Sequence, residues 1–279
     1  MNKILVKKEL APKIKLFDIL APEIAAKARP GHFVVLRVAE TGERFPLTIA
    51  GADKSEGTIR LVFNEVGKST RELGSFSQGD EILDVVGPLG IPCEIDSFGN
   101  VLCVGGGVFA APLHFVASAL HGIGNKVITV LGARISDLLI FENELRSVSD
   151  EFHVSTDDGS KGHKGLVFVR EILDQNSINR AIAMGPVAML KAVSELTKPY
   201  GIKTMVTLTP LMVDATGMCG CCRVSVGGET KFACVDGPEF DGHLVDWELL
   251  SSRMRTYLSD ERMASLLSER LARGDWHQG

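Results

Sequence analysis

The chain has 279 residues, of which 45% are hydrophobic and 23% charged, and a formal net charge of −5. That length accommodates two domains and a small appendage, and the acidic balance gives no reason to expect nucleic acid or an anionic membrane as partner. No apolar run is long enough to span a bilayer, and the opening MNKILVKKEL lacks a signal peptide's apolar core, so the expected location is cytoplasmic.

Residues 1–97 read as a small antiparallel β-barrel. KILVKKEL, KIKLFDIL, HFVVLRV and TIRLVFNEV are short β-rich runs separated by Pro30-Gly31, Gly42 and Gly57, and EILDVVGPLG closes the series. Two places inside it look chemical. Arg44, Phe45, Pro46, Leu47 and Thr48 follow a strand and bring a cation, a rigid ring and a hydroxyl together, although Arg44 alone reads as a solvated surface charge. Gly67 to Leu73 reads as a glycine turn opening a helix, with Ser69 and Glu72 as a capping box. Such an N-terminus favours a phosphate; an ordinary capped helix is the alternative.

Residues 98–210 read as a nucleotide-binding α/β domain. The strand Asn100–Val104 runs into Gly105, Gly106, Gly107, Val108, Phe109 and Ala110, then Pro112. This is G-x-G-x-x-A between a strand and an apolar helix over 112–121, the context that pattern requires. KVITVLGAR, FHVSTDDG, AIAMGP and KTMVTLTP are further strands with helical stretches between them, which describes an open parallel sheet. Ligands in such sheets lie at the carboxyl ends of the strands. That rule brings Gly105–Ala110, Asp157, Asp158, Gly185 and Pro186 to one crevice. Arg134 stands where an acidic residue is expected at the end of the second strand, and it either meets a 2′-phosphate or caps the strand.

Residues 211–245 carry the most specific pattern. Asp214, four residues, Cys219, two residues, Cys222, eleven residues and Cys234 follow one another, so Asp214 occupies the first position of the C-x4-C-x2-C spacing of plant-type [2Fe–2S] proteins. A carboxylate keeps the anionic charge while hardening one ligand. Four of the six cysteines crowd into this stretch, which in a reducing compartment favours metal over disulfides. A zinc site made by the three cysteines with Asp214 or His243, or structurally idle thiols, are the alternatives. Cys221 is an unexplained extra thiol. Residues 246–279 have helical composition with Trp247, Leu250, Met254, Leu258, Met263, Leu266, Leu267 and Leu271 roughly on one face, suited to packing on the body or on another subunit.

Together, PLTIA, FNEVGKST, GPLG, VGGGVFAAP, TDDGSKGHKG, MGPVAML, and VDATGMCGCCRV with KFACVDGPEFDGH resemble the ferredoxin–NADP reductase superfamily. Within it, they are similar to the electron-transfer subunits of dihydroorotate dehydrogenase B and, more closely, to the small subunits of NADH-dependent reduced ferredoxin:NADP oxidoreductases. The resemblance implies a β-barrel plus α/β fold with a small C-terminal [2Fe–2S] module, binding FAD and NAD(H). It assigns Arg44, Pro46, Leu47, Thr48, Phe63 and Asn64 to the flavin and Gly67, Ser69 and Thr70 to its pyrophosphate. Gly105, Gly106, Gly107, Ala110, Pro112, Arg134, Asp157, Asp158, Gly185 and Pro186 fall to the nucleotide-binding half, and Asp214, Cys219, Cys222 and Cys234 to the cluster. The implied activity exchanges hydride with NAD(H) at FAD and passes single electrons through the cluster. Its implied partner is a larger flavin and iron–sulfur subunit that binds NADP(H) and ferredoxin in a bifurcating transhydrogenase. A dihydroorotate dehydrogenase B-like or sulfide dehydrogenase complex is the nearer alternative, and a zinc-stapled nucleotide-binding regulator the more distant one.

Overall fold

A computed structural model describes residues 2–273. Its first half contains β1 (Ile4–Ala11), β2 (Ile14–Leu20), α1 (Pro22–Lys27), β3 (Phe33–Arg37), β4 (Phe45–Asp53), β5 (Thr58–Asn64), α2 (Lys68–Ser75) and β6 (Asp84–Leu89). The strands form one antiparallel sheet in the order β1-β2-β5-β4-β3-β6. The Ile4 N–H donates to the Asp80 carbonyl at 2.9 Å and the Ile82 N–H to the Asn2 carbonyl at 3.0 Å, which closes the sheet into a barrel. Phe17 and Phe63 meet edge to face at its centre, 5.1 Å between ring centroids.

Phe45 to Thr48 follow β3, as the sequence suggested, and themselves begin a further strand, β4. Pro46 explains why the run does not read as one, since it lacks the N–H a central strand would use. Its neighbour on one side is β3, with Val35 opposite Pro46. On the other side, pairing with β5 starts only at Ile49 opposite Leu61, while Phe63 and Asn64 pair with β2. β4 and β5 therefore splay apart at one end, and the gap is available to a ligand.

The second half opens with β7 (Asn100–Gly106), α3 (Ala110–Gly122), β8 (Lys126–Ala133), α4 (Glu142–Ser147), β9 (Glu151–Thr156), β10 (His163–Lys164) and α5 (Val169–Gln175). It continues with β11 (Arg180–Met184), α6 (Val187–Thr197), β12 (Thr204–Thr207), the hairpin β13 (Arg223–Val226) and β14 (Glu229–Phe232), and β15 (Glu239–Asp241). The sheet order is β10-β9-β8-β7-β11-β12-β15, parallel throughout except for β15, which runs antiparallel to β12. The stretch that follows Cys234 thus completes this sheet. Alternate residues of β7 serve opposite layers: Leu102 and Val104 face one apolar cluster, while Val101 and Cys103 face the other beneath α3. α3 also packs against β4, which seats the sheet on the open end of the barrel.

Two helices end the described chain, α7 (Trp247–Met254) and α8 (Leu258–Arg273). Leu250 is buried, but Leu258, Met263, Leu266 and Leu267 are exposed, and α8 lies beside α2. No described helix is long and apolar enough to cross a membrane.

Glu239 on β15 is half-buried, and its Oε1, shielded from solvent, has no hydrogen-bond partner among the described residues. Burial raises its pKa against the lowering effects of Cys93 and Arg180, with Glu94 also facing it. The folded chain then holds a proton that the unfolded chain releases near pH ~4.3, so this group's contribution to stability falls as pH rises from there toward its raised value. Glu239→Gln should flatten that decline: its denaturation midpoint should gain on the wild type as pH rises above the ordinary glutamate range. Parallel curves would contradict the assignment.

Candidate functional site

The gap between β4 and β5 opens into a cavity of about 380 Å³ between barrel and sheet. The barrel side is Pro46, Leu47 and Thr48 from β4, Phe63 and Asn64 from β5, and Thr70 at the start of α2. Opposite lie Val108, Phe109 and Pro112, where a single 3-10 turn over Gly107–Phe109 runs into α3. Leu208, Thr209, Pro210 and Met212, following β12, and Pro238, just before β15, form the remaining wall. Among the described residues no ionisable side chain lines the cavity. Such a space suits a flat, largely apolar ring system held by a few hydroxyls and an amide, and it is not equipped for acid–base chemistry.

Seven of the sequence-predicted residues meet here: Pro46, Leu47, Thr48, Phe63, Asn64, Thr70 and Pro112. Gly67 and Ser69 sit at the mouth of α2 and Arg44 is an exposed residue at the start of β4, outside the lining. The Ser69–Glu72 capping box does not form. Gly67 is the N-cap, so Ser69 lies inside the first turn, and its hydroxyl donates to Glu43 Oε2 at 3.1 Å. Thr70 Oγ1 accepts the N–H groups of Val66 and Gly67, each at 3.1 Å, and performs the capping instead.

The glycine-rich turn divides its labour. A Cβ on Gly105 would lie 2.7 Å from Leu113 Cδ2, and Ala110 is fully buried, so these positions let α3 pack closely on β7. Gly106 lies against Pro186, and its Cα is 3.4 Å from where a Cβ on Gly185 would be, so two strand ends touch. Gly107 faces open space. At the neighbouring strand ends, the Asp157 N–H donates to the Ala133 carbonyl at 3.0 Å and the Asp158 N–H to the Arg134 carbonyl at 3.3 Å. The Asp158 carboxyl is held below its usual range by the Ser160 N–H and hydroxyl. Arg134, Asp157 and Asp158 therefore form one group, apart from the cavity lining.

The thiol loop follows the cavity wall directly. Met212 lines the cavity and Asp214 is two residues further on, at most about 7 Å of chain. Gly217 and Gly220, at φ of 85° and 67°, curl the loop. The Asp214 carboxylate accepts the Thr216 N–H at 2.9 Å and the Cys219 N–H at 2.7 Å, and these bonds hold it ionised below the ordinary range. The Asp214 and Cys221 N–H groups draw the Cys219 thiol down in turn. Cys222 immediately precedes β13 and Cys234 follows β14 by one residue, so the hairpin register brings their sulfurs to 3.2 Å. Burial, then the Cys222 contact, pushes Cys234 up to about 12, a cost that a bound cation would remove.

The four donors thus stand as two pairs, Asp214 with Cys219 and Cys222 with Cys234. Two pairs fit a two-iron cluster, with two protein ligands to each iron. Among the described residues no three His, Cys, Asp or Glu side chains converge as a single-ion site would require. His243, the fifth candidate for zinc, has Nε2 3.0 Å from Thr197 Oγ1 on α6.

Residues 209–246 match the iron–sulfur cluster binding domain of dihydroorotate dehydrogenase B. The chain is 47% identical, over 95% of its length and 94% of the other's, to a Thermotoga maritima homolog of the electron transfer subunit of dihydroorotate dehydrogenase B (NAD(+)). It is 32% identical to that subunit from Desulforamulus reducens, over 88% of this chain and 97% of that one. A chain of the NADH-dependent reduced ferredoxin–NADP oxidoreductase, solved to understand flavin-based electron bifurcation, superposes with a TM-score of 0.91. It is 46% identical, over 98% of both chains.

Thr70→Val should remove the cap of α2 and lower stability by about 1 kcal/mol, read as a urea midpoint. An unchanged midpoint would show that the Thr70 hydroxyl does not hold this turn.

Proposed function

Since the chain belongs to the family of dihydroorotate dehydrogenase B electron-transfer subunits and their homologs, we propose that it moves electrons between NAD(H), a flavin in the cavity and a [2Fe–2S] cluster in the thiol loop. The observation that carries this reading is contiguity: one segment supplies the cavity wall at Leu208–Met212 and then Asp214, Cys219 and Cys222. A return segment supplies Cys234 and then Pro238 in the same wall. FAD supplies the exchange between a hydride and single electrons, chemistry that belongs to the cofactor.

The protein's part is binding and exclusion. Thr48 and Asn64 offer the ring system its hydrogen bonds, while Phe63, Leu47, Pro112 and Pro238 keep water from its faces. The opening of α2 at Gly67, Ser69 and Thr70 receives the pyrophosphate, with Arg44 as the nearby cation. The nicotinamide nucleotide lies along Gly105, Gly106, Gly107, Gly185 and Pro186. Arg134, Asp157 and Asp158 meet its adenosine end. Asp214, Cys219, Cys222 and Cys234 hold the irons. As an electron-transfer subunit the chain works with a larger partner, and its similarity to the bifurcating oxidoreductase supports a partner that binds NADP(H) and ferredoxin.

Anaerobically prepared protein should contain FAD and about two irons and two acid-labile sulfides per chain. Neither iron nor sulfide in such a preparation would end this reading. Asp214→Cys should keep the cluster and shift its potential, because a soft thiolate replaces a hard carboxylate. An unchanged potential and visible spectrum would remove Asp214 from the ligand set.

A further inference from the structure

Two consecutive carbonyls of the thiol loop are each gripped by an arginine. Arg223 Nη1 donates to the Gly220 carbonyl at 3.1 Å, and Arg253 Nη2 to the Cys221 carbonyl at 3.0 Å. Neither guanidinium has an ion-pair partner among the described residues. A trans peptide points its C=O and N–H in opposite directions. Drawing the Gly220 carbonyl outward therefore turns the Cys221 N–H inward, and that N–H lies 3.5 Å from Cys219 Sγ. Across the next peptide the Cys222 N–H points away from the Cys221 carbonyl that Arg253 holds.

Arg253 does not belong to the loop. It sits on α7, which is fastened to the cysteine module at three points. The Asp246 N–H donates to the Ser225 carbonyl at 2.9 Å, Trp247 Nε1 donates to the Gly242 carbonyl at 3.1 Å, and Leu250 is buried in the adjoining core. The Asp246 carboxylate caps the helix by accepting the Leu249 N–H at 2.9 Å. Arg253 is half-buried where Arg223 is exposed, so water and salt weaken its field less.

We propose that Arg253, seconded by Arg223, is a positioning residue that raises the reduction potential of the cluster held by Asp214, Cys219, Cys222 and Cys234, which makes the C-terminal helix part of the redox site. The inference rests on that ligand assignment. Its physical basis is twofold: inward N–H groups stabilise the added electron at the sulfurs, and so does nearby positive charge. A lysine at position 253 keeps the charge but loses the planar fork that fixes the carbonyl.

The test is an EPR-monitored redox titration of the complete protein as wild type, Arg253→Met, Arg253→Lys and Arg223→Met, with signal expressed per iron. At a fixed poise, Arg253→Met should lower the reduced-to-oxidised ratio about tenfold, which is 59 mV for one electron. Arg253→Lys and Arg223→Met should each lower it less. Should Arg253→Met fail to load iron, the other two variants decide, and unmoved midpoints in both overturn the proposal. An iron-loaded Arg253→Met with the wild-type midpoint overturns it as well, leaving the ligand assignment standing. A wild type without iron and sulfide overturns both.

Discussion

Everything in this molecule depends on a short covalent tether. The chain leaves the sheet at Thr207, forms a wall of the cavity from Leu208 to Met212, and reaches Asp214 without room for an excursion. After the β13–β14 hairpin it returns through Cys234 to Pro238, on the same wall, and re-enters the sheet as β15. A group in the cavity and a cluster in the loop are therefore held at close range by chain length alone. The barrel and sheet need only hold the cavity open and dry, and they do so with β4 and β5 splayed on one side and the start of α3 on the other.

The electrostatics of the two sites differ in kind. The cavity presents hydroxyls, one amide and apolar surface, with no titrating group among the described residues. The loop gathers three thiols and a carboxylate and then spends its backbone N–H groups on them, with Asp214 and Cys219 both drawn below their ordinary ranges. Cys234 goes the other way because it is buried. That contrast separates a face built to stay anionic from a buried Cys234 thiol that a bound cation would help to ionise.

The elements that set this arrangement were unequally legible in the sequence. The Asp214–Cys219–Cys222 spacing and the strand–glycine–helix passage at Gly105–Ala110 are local patterns: Asp214 accepts the Cys219 N–H, and Gly105 lets α3 pack on β7. β4 was not legible, because Pro46 interrupts the strand pattern and its partner β3 accepts it only through long-range pairing. Leu208, Thr209, Pro210, Met212 and Pro238 carry no chemistry of their own. They become functional only by where the sheet delivers them, although their closeness to the thiol loop in sequence was a usable signal. Ser69 and Thr70 both offered a hydroxyl for capping, and one residue of helix register decided between them. Arg253 lies more than thirty residues beyond the carbonyl it binds, and no spacing rule reaches that far.

The central claim, electron passage between the cavity and the thiol loop, is tested most directly by mixing the anaerobic, fully loaded protein with NADH and recording the visible and EPR spectra together. Loss of the flavin bands followed by the signal of a reduced two-iron cluster, approaching about one spin per chain, is the predicted result. Flavin bleaching with the cluster left oxidised, although dithionite can reduce it, would contradict the account.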